Sequence, residues 1–348
     1  MLKGDWQSRS AGLLMLAGCV LVADASFGAA SAACAAMRPI NIGVSVAPPN
    51  VVHTSPYVAK ELGLFAKHCI DATIIQFEGG GSPAARAAAA QGTALVSVQA
   101  IAVGRGVKVQ QIWGLAPRLP QSYMVAEDIK TAKDLKGKKL SAVGGGVGGF
   151  NWLMGREVLE TAGLKVDDVQ FIAGGTAGRL PGLVSGQIDG VALHPEDVYL
   201  AKQKKASLHV LVDLAKLMPD YYFNAYGANI DWIAKDRALM VDAVAAMIEA
   251  NRAIYKDEAK VVPIIMKATG KPKDAVEFSR KVLIDNCVWS VNEGFNAKRI
   301  DWTTDNAVEN GFITKDKRPT VEQVFNKSIA SDAVKAAGGP MTIGKCTE

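Results

Sequence analysis

From residue 40 onward, short apolar runs alternate with segments that begin like helices, and this alternation leaves few folds open. Residues 40–46, 71–77, 94–98 and 107–115 read as strands. Between the first two, Ser55 supplies a capping hydroxyl and Pro56 stands at the first helical position. The helix that follows carries Tyr57, Val58, Leu62 and Phe65, and Pro83 opens a second, Ala-rich helix. A second series starts near Ile129. Thr131 and Asp134 resemble a capping box with Asp in the place of Glu. Strands at 139–143, 169–172 and 188–193 alternate with helices at 150–161 and 180–185. Right-handed crossovers between such strands give parallel sheets covered by helices. After Tyr221 the pattern turns helical, at 238–255, 259–268 and 273–284. Two series joined by crossings near Val125 and at 223–229 predict an α/β protein with two lobes around a cleft. The expected division is 37–126 plus 227–348 for one lobe and 127–226 for the other.

The first 36 residues read differently. Lys3 and Arg9 precede an apolar stretch at 11–23, and Ala29, Ala30, Ser31, Ala32 and Ala33 fit a signal-peptidase site. The stretch is shorter than the ~20 residues of a spanning helix, and Asp24 closes it. Residues 1–36 are therefore expected to be an export signal, which places the rest in the periplasm. An alternative is a lipoprotein box at Leu16, Ala17, Gly18 and Cys19, with lipid on Cys19, although Val20, Leu21 and Val22 continue the apolar run.

Export puts Cys34, Cys69, Cys287 and Cys346 in an oxidising compartment. Cys287 with Cys346, or Cys69 with one of the others, are candidate pairs, and free thiols are the alternative. The 39 basic and 34 acidic residues leave a net charge of +5 with no long basic run, which excludes a nucleic-acid reading.

In an open α/β sheet, ligands bind beyond the C-terminal strand ends. Here those ends are residues 47–55, 78–82, 97–99, 144–151, 174–179 and 194–197. Residues 144–149 hold a Gly-x-Gly spacing without the acidic partner of a dinucleotide fingerprint, and no phosphate-loop motif occurs. The four histidines form no metal-binding spacing, and no GxSxG marks a serine nucleophile. No cofactor is expected. His53, His194 and Glu196 are read as ligand contacts without chemistry. Phe150, Trp152, Tyr123 and Tyr226 are candidate aromatic lining, Trp152 leaning to the packing side. Arg179 either neutralises an anion or points to solvent.

The run from Ser55 to Gly92 carries a Pro-aromatic-x-Ala-x-x-x-Gly-x-Phe helix through Pro56, Tyr57, Ala59, Gly63 and Phe65. Residues 129–149, 156–164 and 183–201 carry DLKGKK, LETAGL and GQIDGVALHPED segments. In these features the chain resembles the nitrate, sulfonate and taurine binding proteins of ABC importers, a superfamily that includes the thiamine-pyrimidine precursor binders. The resemblance covers residues 38–330. It implies a type II periplasmic binding protein fold whose lobes close on a small molecule, with an inner-membrane permease and a cytoplasmic ATPase as partners. A monomer is expected.

Carried onto this chain, the resemblance implies contacts from Pro49, Asn50, Val51, His53 and Thr54, from Gly81 and Ser82, from Ser97 and Gln99, from Gly148, Gly149, Phe150 and Asn151, and from His194 and Glu196. Thr176 and Tyr226 complete the expected set. Gly148, Gly149 and Phe150 stand where sulfonate binders place hydroxyl residues, and Glu196 opposes a bare anion. The ligand is therefore an organic acid held by backbone groups or a heteroaromatic. The alternatives are a pyrimidine-precursor-synthesising enzyme on the same fold, which would use clustered Cys and His, and a periplasmic sensor subunit.

Overall fold

The computed structural model describes residues 34–78, 83–97, 100–143 and 146–348. Cys34–Glu348 form one unit. The expected signal, Cys19, and the site candidates Gly81, Ser82 and Gln99 lie outside the described residues.

Ten strands build two sheets. They are β1 (Arg38–Val44), β2 (Ile70–Gln76), β3 (Leu95–Ser97), β4 (Val109–Ala116), β5 (Ser122–Val125), β6 (Lys139–Ser141), β7 (Gln170–Ile172), β8 (Gly190–Leu193), β9 (His209–Asp213) and β10 (Asn224–Asn229). The first sheet has the order β2-β1-β3-β10-β4 and the second β7-β6-β8-β5-β9. In each, the fourth place is taken by a strand that has just arrived from the other sheet. That strand enters from the opposite end, so β10 runs antiparallel to β3 and β4, and β5 to β8 and β9. The remaining pairs are parallel. This is the expected α/β, type II arrangement of two lobes.

The sheet pairing shifts the crossings. Ser122–Val125 pairs in the second sheet and Asn224–Asn229 in the first, so the chain passes between sheets at 117–121 and 218–223 rather than at 126/127 and 226/227. A lone short strand carries no sequence mark of which sheet will accept it. The two crossing segments meet where Phe223 N–H donates to Pro117 O at 3.4 Å.

The first lobe is centred on the helix Arg237–Lys256, whose Met240, Val244, Met247 and Ile248 are fully buried against Ile42, Leu95 and Trp113. Apolar residues at these three- and four-residue intervals make one stripe facing the sheet. The second lobe packs Tyr123, Leu140, Met154, Val158 and Leu159. Disulfides join Cys34 to Cys69 and Cys287 to Cys346, which settles the pairing left open by the sequence. Among the described residues no helix is long and apolar enough to cross a membrane.

Candidate functional site

The C-terminal ends of β1, β6 and β8 and the second crossing segment bring rings together between the sheets. His53 lies in the turn Val51–His53 after β1, and His194 follows β8 and precedes the helix Pro195–Lys204. Their ring centroids are 5.5 Å apart, edge to face. Phe223, from the second crossing, lies 6.1 Å from His53 and 6.0 Å from His194. Phe150 opens the helix Phe150–Glu160 and stands 5.7 Å from Phe223. Spacings and tilts of this kind suit the quadrupoles of aromatic rings.

Polar atoms around these rings are not all used. The Gln121 amide lies 3.0 Å from His194 Nε2. His194 Nδ1 and His53 Nδ1 are buried with no protein partner. Asn151 donates from Nδ2 to Val143 O at 3.0 Å, and its Oδ1 is likewise buried and unpartnered. Buried polar groups are almost always hydrogen-bonded, so these atoms are open to a further partner.

Burial holds the His53 imidazole well below its ordinary pKa, helped by His194 and Arg179. Burial does the same to His194, helped by Arg179 and Lys271. Both rings are therefore neutral at pH 7. Below about pH 6.5 the unfolded chain takes up protons at these positions and the folded chain does not, so stability falls with pH. Each ring contributes at most about 1.4 kcal/mol per pH unit in that window. Asp197 works in the opposite direction. Burial and then the Glu196 charge raise its pKa, against Lys271 and Arg179, so its folded form gains from acidification. Melting temperature should fall between pH 7 and 5 for the wild type, and less for a His53→Gln, His194→Gln double variant. Equal slopes for the two proteins would contradict the assignment.

Beside the rings lies a polar network that joins the lobes. Glu196, fully buried, accepts from Asn50 Nδ2 at 2.9 Å, Val51 N–H at 3.1 Å and Ser279 Oγ at 2.7 Å. Arg179 donates to Asn50 Oδ1 at 2.9 Å and to Thr176 O at 3.0 Å. Asp197 pairs with Lys271. Thr176 gives its N–H to Glu78 at 2.6 Å and its hydroxyl to Ala47 O at 2.9 Å. Lys271 is thus paired with a carboxylate, whereas Arg179 bonds only to neutral oxygens. A cavity of about 190 Å³ opens beside this network, walled by both lobes through Pro48, Pro49 and the network residues Asn50, Thr176, Arg179, Asp197 and Lys271.

The expected residues divide accordingly. His53, Phe150 and His194 meet at the ring cluster, and Asn151 follows Phe150 in the same helix and bonds to Val143 O. Asn50, Val51, Thr176 and Glu196 sit in the interlobe network. Pro49 borders the outer cavity, and Thr54 is buried and bonds to Val51 O at 2.8 Å. Gly149 caps the Phe150 helix, and Gly148 holds a φ of +79° with Phe312 beside it. Ser97 ends β3 opposite Tyr226. Tyr226 is not brought to the cluster. It stacks on Trp113 at 6.3 Å inside the first lobe's core, because β10 turns it inward. Tyr123 belongs to the second lobe's core, and Trp152 packs on Phe171 and Phe312. Phe223, Gln121, Lys271 and Ser279 were not anticipated as site residues. Only Phe223 carried a signal, an aromatic in a segment already read as a crossing.

The family description "NMT1/THI5 like" matches residues 50–260. The chain belongs to the NMT1/THI5-like family. No curated protein matches the sequence significantly. Among solved structures, the chain is similar to the alkanesulfonate-binding protein SsuA from Xanthomonas axonopodis pv. citri bound to MOPS, at 16% identity over 84% of this chain and 100% of that one, with a TM-score of 0.67. It is similar to the periplasmic nitrate-binding protein NrtA from Synechocystis PCC 6803, at 13% identity over 86% and 89%, with a TM-score of 0.70. It is also similar to the desulfurization enzyme DSZB, at 14% identity over 85% and 99%, with a TM-score of 0.60. At such identities the likeness establishes the fold that this NMT1/THI5-like chain shares with binding proteins and with an enzyme.

Proposed function

We propose that this protein is the solute-binding component of an ABC-type importer and that its cleft takes a small, flat, uncharged nitrogen heterocycle. One observation carries the reading. The rings of His53, His194 and Phe223 meet, and His53 Nδ1, His194 Nδ1 and Gln121 Oε1 among them are buried with no protein partner, as is Asn151 Oδ1 on the helix that Phe150 opens. Ring faces offer stacking, and the orphaned atoms offer hydrogen bonds to heteroatoms in the ligand plane. An acidic ligand is less well served. Lys271 is paired with Asp197, and the carboxylates of Glu78, Glu196 and Asp197 outnumber Arg179 in this region. The nitrate- and sulfonate-binding relatives in fold support capture and delivery, with a membrane permease and its ATPase as partners.

The enzyme alternative loses its usual nucleophile. The four described cysteines are all in disulfides, which also fits an exported protein. A thermal-shift panel tests the reading. Purified protein is heated with nitrate, alkanesulfonates, carboxylates, pyrimidines and purines in turn. A heterocycle at a hundredfold its Kd should stabilise by about 2.7 kcal/mol. A panel in which only nitrate or a sulfonate shifts the transition would overturn the ligand class.

A further inference from the structure

The helix Pro195–Lys204 of the second lobe lies along the helix Lys273–Asp285 of the first, and the contacts between them are graded from core to rim. At the inner end Glu196 is fully buried, and all three of its donors, on Asn50, Val51 and Ser279, belong to the other lobe. At the next residue, Asp197 pairs with Lys271. At the rim Tyr199 donates to Asp274 Oδ2 at 3.1 Å, and its ring lies 5.0 Å from Phe278. Gln203 reaches the same Asp274 oxygen at 3.4 Å. A carboxylate stripped of water is stable only while its donors are in place. Separation of the lobes removes every donor to Glu196 together, so this contact is all-or-none in a way that an exposed ion pair is not.

We propose that this helix pair is a clasp that sets how much of the time the lobes are closed, with Ser279 as a positioning residue that acts through Glu196. Ser279 and Asp274 are not part of the ring cluster. Ligand affinity is nevertheless tied to them, since a ligand that binds the closed form is weakened in proportion to the closed fraction. That last step rests on the proposed binding function, whereas the clasp itself does not.

Hydrogen exchange at the Val51 amide, which donates to Glu196, reads the clasp without any ligand. Ser279→Ala should speed Val51 exchange about tenfold, the effect of losing one hydrogen bond to a charged group, and should enlarge the radius of gyration in solution scattering. The Ile42 amide, in the core of the first sheet, should be unchanged. Tyr199→Phe, which removes only the rim hydroxyl, should act in the same direction and less. Val51 exchange and radius unchanged in both variants would overturn the clasp. Val51 and Ile42 accelerated equally would also overturn it, by showing general destabilisation. For any compound retained from the thermal-shift panel, Ser279→Ala should weaken binding about tenfold. A panel with no binder contradicts the proposed function and leaves the exchange result to decide the clasp.

Discussion

Trp289→Ala lowers the free energy of unfolding by about 3–5 kcal/mol and weakens ligand capture with it. Trp289 is fully buried, and its indole N–H donates to Val52 O at 2.9 Å. Val52 is in the turn that carries His53. The segment around Trp289 is tied to the long central helix: Asn251 donates to Ser290 O at 2.8 Å and Arg252 to Val291 O at 2.8 Å. Tyr255 donates to Trp289 O at 2.9 Å. The indole therefore stands between the most buried helix of the first lobe and a loop of the candidate site. Alanine leaves a cavity and an unpaired carbonyl. Trp289→Phe restores most of the volume and not the donor, and should cost about 1–3 kcal/mol. Denaturant unfolding at constant m-value checks both numbers. A cost below about 1 kcal/mol for the alanine variant would contradict the packing described.

Converting Cys287 and Cys346 to serine should cost about 4 kcal/mol. The bridge closes a sequence separation of 59 residues, and loop-closure entropy in the unfolded chain gives about that figure. The native side of the balance points the same way. Beyond the bridge, Val291 N–H donates to Glu348 O at 2.7 Å and Asn292 Nδ2 to Thr347 O at 2.7 Å, so the last residues are laced to the segment that follows Cys287. Released from the bridge, that tail should exchange its amides faster, while the second sheet keeps its protection. Thermal unfolding and hydrogen exchange of the double serine variant test this. A loss under about 1 kcal/mol would mean that the tail contacts hold without the covalent link.

Much of this architecture was legible, for identifiable reasons. Most strand and helix runs before residue 193 announced themselves by periodicity and by caps such as Ser55 and Pro56, although the helix opened there breaks at Gly63 into Ser55–Glu61 and Leu64–Lys67. The crossings were harder. β5 and β10 are short, and their sheet membership depends on pairing with strands far away in sequence. Tyr226 shows the same limit at one residue: alternation places it on one face of β10, but not on which side of the sheet the cleft lies. Within the site, His53, Asn151 and His194 could be picked out because strand ends and a Gly-rich turn are local features. Ser279, from a helix, and Lys271, from the loop before it, reach Glu196 and Asp197 across 83 and 74 residues of sequence, and no local pattern records such a meeting.

The central claim is that a solute is held among His53, His194, Phe223 and Asn151. Its most direct test is calorimetric titration of the heterocycle that gives the largest thermal shift, against wild type and against Phe223→Ala. Truncating an aromatic that stacks on a ligand should weaken binding by at least about tenfold, roughly 1.4 kcal/mol, with the stoichiometry unchanged. An equal dissociation constant in the two proteins would contradict the account and place the ligand elsewhere.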